Sequence, residues 1–285
     1  MIASGLPLND AEVQDFIRAT LAEDLGERGD VTSRFVVPET ARLKAVMAAR
    51  EPMVVSGLPL AEGFFRTLDP DCGIELKAHD GDRVAAGAEL MVVMGAARAL
   101  LTAERSALNT VQHLSGIATL TRKYVDAIEG TGAVLLDTRK TIPGLRLLEK
   151  YATRCGGAQN HRLRLDDGIL IKDNHIAIVG SIEAAVQAAL ANRTVLQVQV
   201  EVDSLDQIEP ALAAGAERLL LDNMDPPTLR KAVALVAGRV PLEASGGVTL
   251  ENIRAIAETG VNYISVGRIT QSAPAVDIGL DFLAA

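Results

Sequence analysis

Apolar positions change their rhythm partway along the chain. Over residues 10–25, DAEVQDFIRATLAEDL, Val13, Phe16, Ile17 and Leu21 recur at helical spacing, which predicts a surface helix with one buried face. Asn9 or Asp10 is placed to cap it and Gly26 to stop it. Strand-like runs follow, LKAVMAAR, MVVSG, GIELKAH and ELMVVMG, with turn glycines at Gly81 and Gly87. A helical stretch over about 98–129, expected to break near Gly116, carries the apolar stripe Leu100, Ala103, Ala107, Val111 and Leu114. Arg105, Asn109 and Gln112 share another face of it, and spacing alone is met by a solvated polar face.

The second half repeats a different unit. AVLLDTRK, GILIKDNH, VLQVQVEVD, RLLLDNMD, VPLEASGG and NYISVGR are short apolar runs that each end in polar or glycine residues. Helical segments such as SIEAAVQAALAN and DSLDQIEPALAAGA separate most of them. Mostly apolar strands that alternate with helices predict a parallel sheet covered by helices. Six such units with functional residue types at their C-terminal ends fit a (β/α) barrel. A doubly wound sheet is the alternative, but no Gly-rich fingerprint or phosphate-loop motif follows a first strand.

Composition narrows the function. With 285 residues, 48% of them hydrophobic, one or two domains with a sizeable core are expected. A net charge of −9 argues against general nucleic-acid binding, which needs a broad basic face. Cys72 and Cys155 form no CxxC pair, so neither a disulfide framework nor a structural zinc site is expected. The start MIASGLPLNDAE has no basic region or apolar run, and no 18-residue apolar stretch occurs, so a soluble, cytoplasmic protein without membrane contact is expected.

The charge is uneven. Residues 137–175 carry net +3, against −12 for the remainder, and hold His161 and His175 as well. Arg146, Lys150 and Arg154 recur at i, i+4, i+8, with Glu149 to balance them, and read as a solvated helix face. Arg139, Lys140, Arg162 and Lys172 do not fit that pattern, because they flank strand-like runs or a glycine loop.

In a barrel the strand ends meet at one mouth. That gathers Arg139, Lys140, Lys172, Glu201, Asp222, Ser245–Gly247 and Gly267–Arg268, with Asn160, His161 and Arg162 from the loop GGAQNHR. Arginine forks match carboxylates and phosphates. Glu201 and Asp222 end successive strands, where hard carboxylates beside phosphate suit Mg²⁺. Backbone N–H groups in SGG and VGR can cradle a phosphate. Together these imply a small carboxylate-bearing anion, a phosphorylated sugar and a divalent metal. Taken singly, Asp222 fits a helix N-cap equally well, His161 a structural histidine and SGG a turn.

The segment LDTRKTIPGLRLLEKYATRCGGAQNHRLRLDDGILIKDNHI resembles the quinolinate phosphoribosyltransferases. EDLGERGDVTS, AERSALNTVQHLSGIATLTRKYV, LLLDNM, EASGGV and DIGLDF extend the resemblance over nearly the whole chain. It implies an α/β fold: an N-terminal α/β sandwich domain over 1–115, joined by a tail at 275–285, and an incomplete (β/α) barrel over 116–274. It implies phosphoribosyl transfer from phosphoribosyl pyrophosphate to quinolinate with decarboxylation, giving nicotinate mononucleotide, CO₂ and pyrophosphate, with Mg²⁺. It also implies a homodimer in which Arg105 reaches the neighbouring site.

The roles the resemblance implies follow the charges. Arg105, Arg139, His161 and Arg162 would hold the two quinolinate carboxylates, Lys140 and Lys172 would border both substrates, and Thr138 would be among the substrate-binding residues. Lys140, Lys172, Glu201 and Asp222 form the catalytic set, with Glu201 and Asp222 engaging ribose hydroxyls and Mg²⁺. Ser245, Gly246, Gly247, Val266, Gly267 and Arg268 would receive phosphate. Ala158 and Arg164 stand where the family more often has glycine, and GRITQS, with Arg268 and Gln271, replaces the frequent GALTHS. Arg164 and Arg268 are expected to add positive charge near the site. Two other functions remain: a Schiff-base enzyme built on Lys172, and a non-catalytic anion-binding protein.

Overall fold

A computed structural model describes residues 5–193 and 195–283 of the chain. They form two compact units. One takes in the chain up to Arg122, Leu147–Gly157 and the stretch from Ser272; the other is Lys123–Arg146 with Ala158–Gln271.

In the first unit, α1 (Asp10–Leu25) starts at Asn9. The Asn9 side chain accepts the Glu12 N–H at 3.0 Å and Glu12 returns to the Asn9 N–H at 2.9 Å, a reciprocal cap that satisfies two orphan donors. Val13, Ile17 and Leu21 are buried as predicted, and Phe16 meets Phe64 edge-on at 6.1 Å. A short α2 (Val31–Val36) is capped by Asp30. Then come β1 (Arg42–Ala49), β2 (Met53–Val54), α3 (Leu58–Leu68), β3 (Gly73–Leu76), β4 (Arg83–Val84), β5 (Glu89–Ala96) and α4 (Ala97–Ala127). With β12 (Ile278–Leu283) they make an antiparallel sheet in the order β12-β1-β5-β3, while β2 pairs with β4.

Three expectations change here. The segment at α3 was not predicted as a helix; Pro59 is tolerated in its first turn, and its N-terminal N–H groups at Gly57 and Leu58 are capped by Asp80, at 2.8 and 3.0 Å. The break expected near Gly116 does not occur, for α4 runs unbroken. Gly116 serves a close approach instead, because a Cβ there would lie 2.2 Å from the Pro274 carbonyl oxygen. The predicted solvated face fails on α5 (Arg146–Cys155), where Glu149 and Lys150 are buried and only Arg154 is exposed. Glu149 lies 2.9 Å from the His113 ring, so a partner 36 residues away replaces solvent.

The second unit holds all six predicted strands: β6 (Val134–Leu136), β7 (Ile169–Ile171), β8 (Val198–Val202), β9 (Arg218–Asp222), β10 (Leu242–Ser245) and β11 (Tyr263–Ser265). All pair in parallel, in the order β6-β11-β10-β9-β8-β7. From β7 to β11 each strand is added beside the last in one direction, and the last pairs with the first. That cyclic order is a barrel's, not that of a doubly wound sheet, which reverses direction at a switch point. The ring is incomplete, because β6 meets the backbone of Gln159 in an isolated bridge where β7 would stand. Covering helices are α6 (Asp173–Val179), α7 (Ile182–Asn192), α8 (Ile208–Ala214), α9 (Pro226–Val236), α10 (Ile253–Ala257) and α11 (Arg268–Gln271). No single helix among the described residues is long and apolar enough to cross a membrane.

Candidate active site

Asp137 continues β6 into full burial. It accepts the His161 N–H at 2.8 Å and the Asn160 side-chain amide at 2.6 Å, and so ties the loop at 160–162 to the strand end. The Arg162 N–H donates to His161 Nδ1 at 2.8 Å, and Arg162 Nη1 donates to the Gly168 carbonyl at 2.9 Å. These bonds bring Arg162 beside Arg139. Burial first, and the Arg139 charge second, push the Arg162 guanidinium below its usual value, with Asp167 opposing weakly. Arg139 Nε is buried without a hydrogen-bond partner. Among the described residues neither guanidinium has a carboxylate within ion-pair distance. Like charges gathered this way are relieved by a bound anion.

The next strand ends supply the opposite charge. Lys172 Nζ donates to Glu201 Oε2 at 2.9 Å, joining the ends of β7 and β8. His175 serves the backbone, since its Nδ1 accepts the Lys172 N–H at 2.9 Å. Asp222 ends β9 opposite Ser245 and accepts the Asn223 side-chain amide at 2.7 Å. Asn223 is left-handed, φ 54°, and a Cβ on Gly246 would come 2.2 Å from its side-chain oxygen. Gly246 is therefore required if Asn223 is to hold Asp222. Asp225, not Asp222, caps α9 through the Thr228 N–H at 2.9 Å, which leaves the Asp222 carboxylate to the mouth.

Gly246 and Gly247 are both left-handed, at φ 89° and 60°. Gly267 lets β11 and β6 close up, because a Cβ there would lie 2.8 Å from Lys140 Cδ. Thr138 accepts the Lys140 N–H at 3.0 Å, and the Thr270 hydroxyl donates to the Lys140 carbonyl at 2.7 Å. Val266 has a buried side chain and donates its N–H to the Leu136 carbonyl at 3.0 Å. Arg268 is exposed at the start of α11. Arg164 is turned to its own loop, where it pairs with Asp166 at 2.9 Å with both side chains largely exposed. Arg105 belongs to the first unit, exposed on α4, with Glu104 3.8 Å away.

Two residues below the strand ends, four for Arg218 below Asp222, lies a layer that was not predicted. Side chains alternate faces along a strand, so Gln199 shares a side with Glu201, Arg218 with Asp222, Glu243 with Ser245 and Tyr263 with Ser265. Glu243 is fully buried, and its Oε2 accepts from Arg218 at 2.7 Å and Gln199 at 2.8 Å and lies 3.3 Å from His161 Nε2. The Arg218 guanidinium stacks 4.0 Å from the Tyr263 ring centre. Burial raises the Glu243 carboxyl, but the His161 hydrogen bond and charge, then Arg218 and Gln199, outweigh it and bring it down to about 2. Charged residues inside otherwise apolar strands, in phase with the mouth residues, were the available signal.

No group of three or more His, Cys, Asp or Glu suited to a metal occurs among the described residues. Glu201 and Asp222 on adjacent strands fit a hard cation only where substrate oxygens complete its shell.

Residues 30–115 match the family model described as quinolinate phosphoribosyl transferase, N-terminal domain, and residues 117–281 match the C-terminal domain model. The chain is 46% identical to a nicotinate-nucleotide pyrophosphorylase [carboxylating] of Mycobacterium leprae (strain TN), over 96% of this chain and 99% of that protein. It is 42% identical to a probable nicotinate-nucleotide pyrophosphorylase [carboxylating] of Bacillus subtilis (strain 168), over 96% and 94%. A crystal structure of nicotinate-nucleotide pyrophosphorylase from Ehrlichia chaffeensis superposes with a TM-score of 0.92 at 40% identity, covering 98% of this chain and all of that one.

Proposed function

Since the chain belongs to the quinolinate phosphoribosyltransferase family, we propose that the cationic mouth of its barrel is where quinolinate is clamped for phosphoribosyl transfer. The enzyme joins quinolinate to phosphoribosyl pyrophosphate and releases CO₂ and pyrophosphate, giving nicotinate mononucleotide. The observation that carries the site assignment is the Arg139–Arg162 pair, two guanidiniums near enough for one charge to act on the other, with Arg139 Nε buried and unpartnered among the described residues. A rigid dicarboxylate supplies what that pair lacks. His161 joins the clamp as the support of the Arg162 backbone.

Lys140 and Lys172 border the clamp and the sugar-phosphate side. Glu201 and Asp222 face the ribose hydroxyls and would hold Mg²⁺ together with diphosphate oxygens. Bound there, the ion would supply charge stabilisation for the diphosphate. The left-handed Gly246–Gly247 pair and Gly267 offer backbone N–H groups to phosphate. Attack by the ring nitrogen on the anomeric carbon forms the glycosidic C–N bond as the C–O bond to pyrophosphate breaks. The resulting pyridinium takes up the electron pair left on the ring when the neighbouring carboxylate departs as CO₂, and a proton replaces it. The chain's share is positioning and preorganised charge.

Lys172 does not have the setting of a Schiff-base lysine. It is 44% exposed and ion-paired with Glu201 rather than enclosed in an apolar pocket. Purified enzyme given quinolinate, phosphoribosyl pyrophosphate and Mg²⁺ should form nicotinate mononucleotide and CO₂, and none with nicotinate in place of quinolinate. Equal use of nicotinate would contradict the two-carboxylate clamp.

Arg105 enters as a neighbour's contribution in a homodimer. Its exposure on α4, with only a loose 3.8 Å pairing to the adjacent Glu104, supports that role. Mixing Arg105→Ala and Arg139→Ala subunits, each impaired alone, should regain some activity in hybrid dimers, because one site then keeps both arginines. A verified hybrid without activity would rule out the shared site.

A further inference from the structure

The loop that carries Arg162 hangs from two buried carboxylates. Asp137 takes its backbone from the β6 side, and Glu243 faces the His161 ring from β10. A neutral imidazole has one donor and one acceptor nitrogen. His161 Nδ1 faces a donor, the Arg162 N–H, so it is the acceptor and the ring proton belongs on Nε2, toward Glu243. Glu243 is itself immobilised by Arg218 and Gln199, and Arg218 by the Tyr263 ring.

We propose that Glu243 is a positioning residue of the dicarboxylate clamp: it fixes the His161 ring with Nε2–H inward, leaves Nδ1 for the Arg162 N–H, and so sets where the Arg162 guanidinium lies. The proposal rests on the clamp assigned to Arg139 and Arg162. Arg218 and Gln199 both donate to Glu243 and hold it as the anion that faces the ring. Because Asp137 still holds the loop backbone, losing Glu243 weakens the clamp without dissolving it.

Glu243→Gln in the full-length enzyme tests this, by titrating quinolinate and phosphoribosyl pyrophosphate separately, with and without His161→Ala. Quinolinate affinity should fall about tenfold, the scale of one charge-assisted bond, while phosphoribosyl pyrophosphate affinity and kcat hold within about twofold. His161→Ala should then add little, because both changes remove one support. Glu243→Asp, which keeps the charge and shortens the reach, should fall between the two. Nitrogen-15 spectra of the wild-type histidines should show the His161 proton on Nε2. Unchanged quinolinate affinity, additive losses, or a proton on Nδ1 of a neutral ring would each overturn the proposal. Failure of the wild-type protein to bind quinolinate would instead overturn the clamp assignment, and the spectra would still decide what Glu243 does.

Discussion

The floor and the mouth of the parallel strands carry the same residue types under opposite conditions. At the floor, the largely buried Arg218 and the fully buried Glu243 are bonded to each other and matched in charge, although Arg218 Nε and Glu243 Oε1 have no hydrogen-bond partner among the described residues. At the mouth, further along the strands, Lys172 and Glu201 are matched but partly exposed, while Arg139 and Arg162 are gathered with no carboxylate at ion-pair distance among the described residues. A matched buried pair specifies geometry, and an unmatched pair specifies a ligand. His161 belongs to both, with one ring nitrogen turned to each.

Breaking the floor should have the largest effect. Glu243→Leu leaves the largely buried Arg218 charge without its partner, and urea unfolding should show a loss of about 3 kcal/mol. A loss below 1 kcal/mol would mean that the floor carries no matched charge.

Acid should act on the same place. The folded carboxyl of Glu243 lies near 2, below its ordinary 4.5, so the stability it contributes is complete above about pH 4.5 and is lost as pH falls towards 2. Urea midpoints for the wild type should drop across that window more steeply than those of Glu243→Gln. Parallel curves would place the acid sensitivity elsewhere.

Arg164→Ala should do least. Its exposed pair with Asp166 belongs to the loop surface, so stability should stay within about 0.5 kcal/mol, with quinolinate affinity unchanged. A large loss of affinity would show that Arg164 turns into the mouth.

What was legible in the sequence follows from how local each signal is. The six barrel strands declared themselves because each is a short, mostly apolar run that ends in polar or glycine residues and is set off from the next by a helical segment. The cap of α1 lies within four residues, so its start was readable. The cap of α3 comes from Asp80, more than twenty residues away, and no local pattern announces it. Lys150 and Glu149 looked solvated because their periodicity is that of a surface helix; only the fold brings His113 to Glu149. At the site, the mouth residues stood out as chemistry at strand ends. Glu243 lies inside a strand and reads as an ordinary residue of it, although its register with Ser245 marks it as sharing a face with the mouth.

The clamp itself is tested most directly by titrating Arg139→Ala with quinolinate and with phosphoribosyl pyrophosphate. Removing a guanidinium that meets a carboxylate should weaken quinolinate about a hundredfold, roughly 3 kcal/mol, and leave phosphoribosyl pyrophosphate within about threefold. Equal losses for both ligands would contradict the assignment of the cationic mouth to the dicarboxylate.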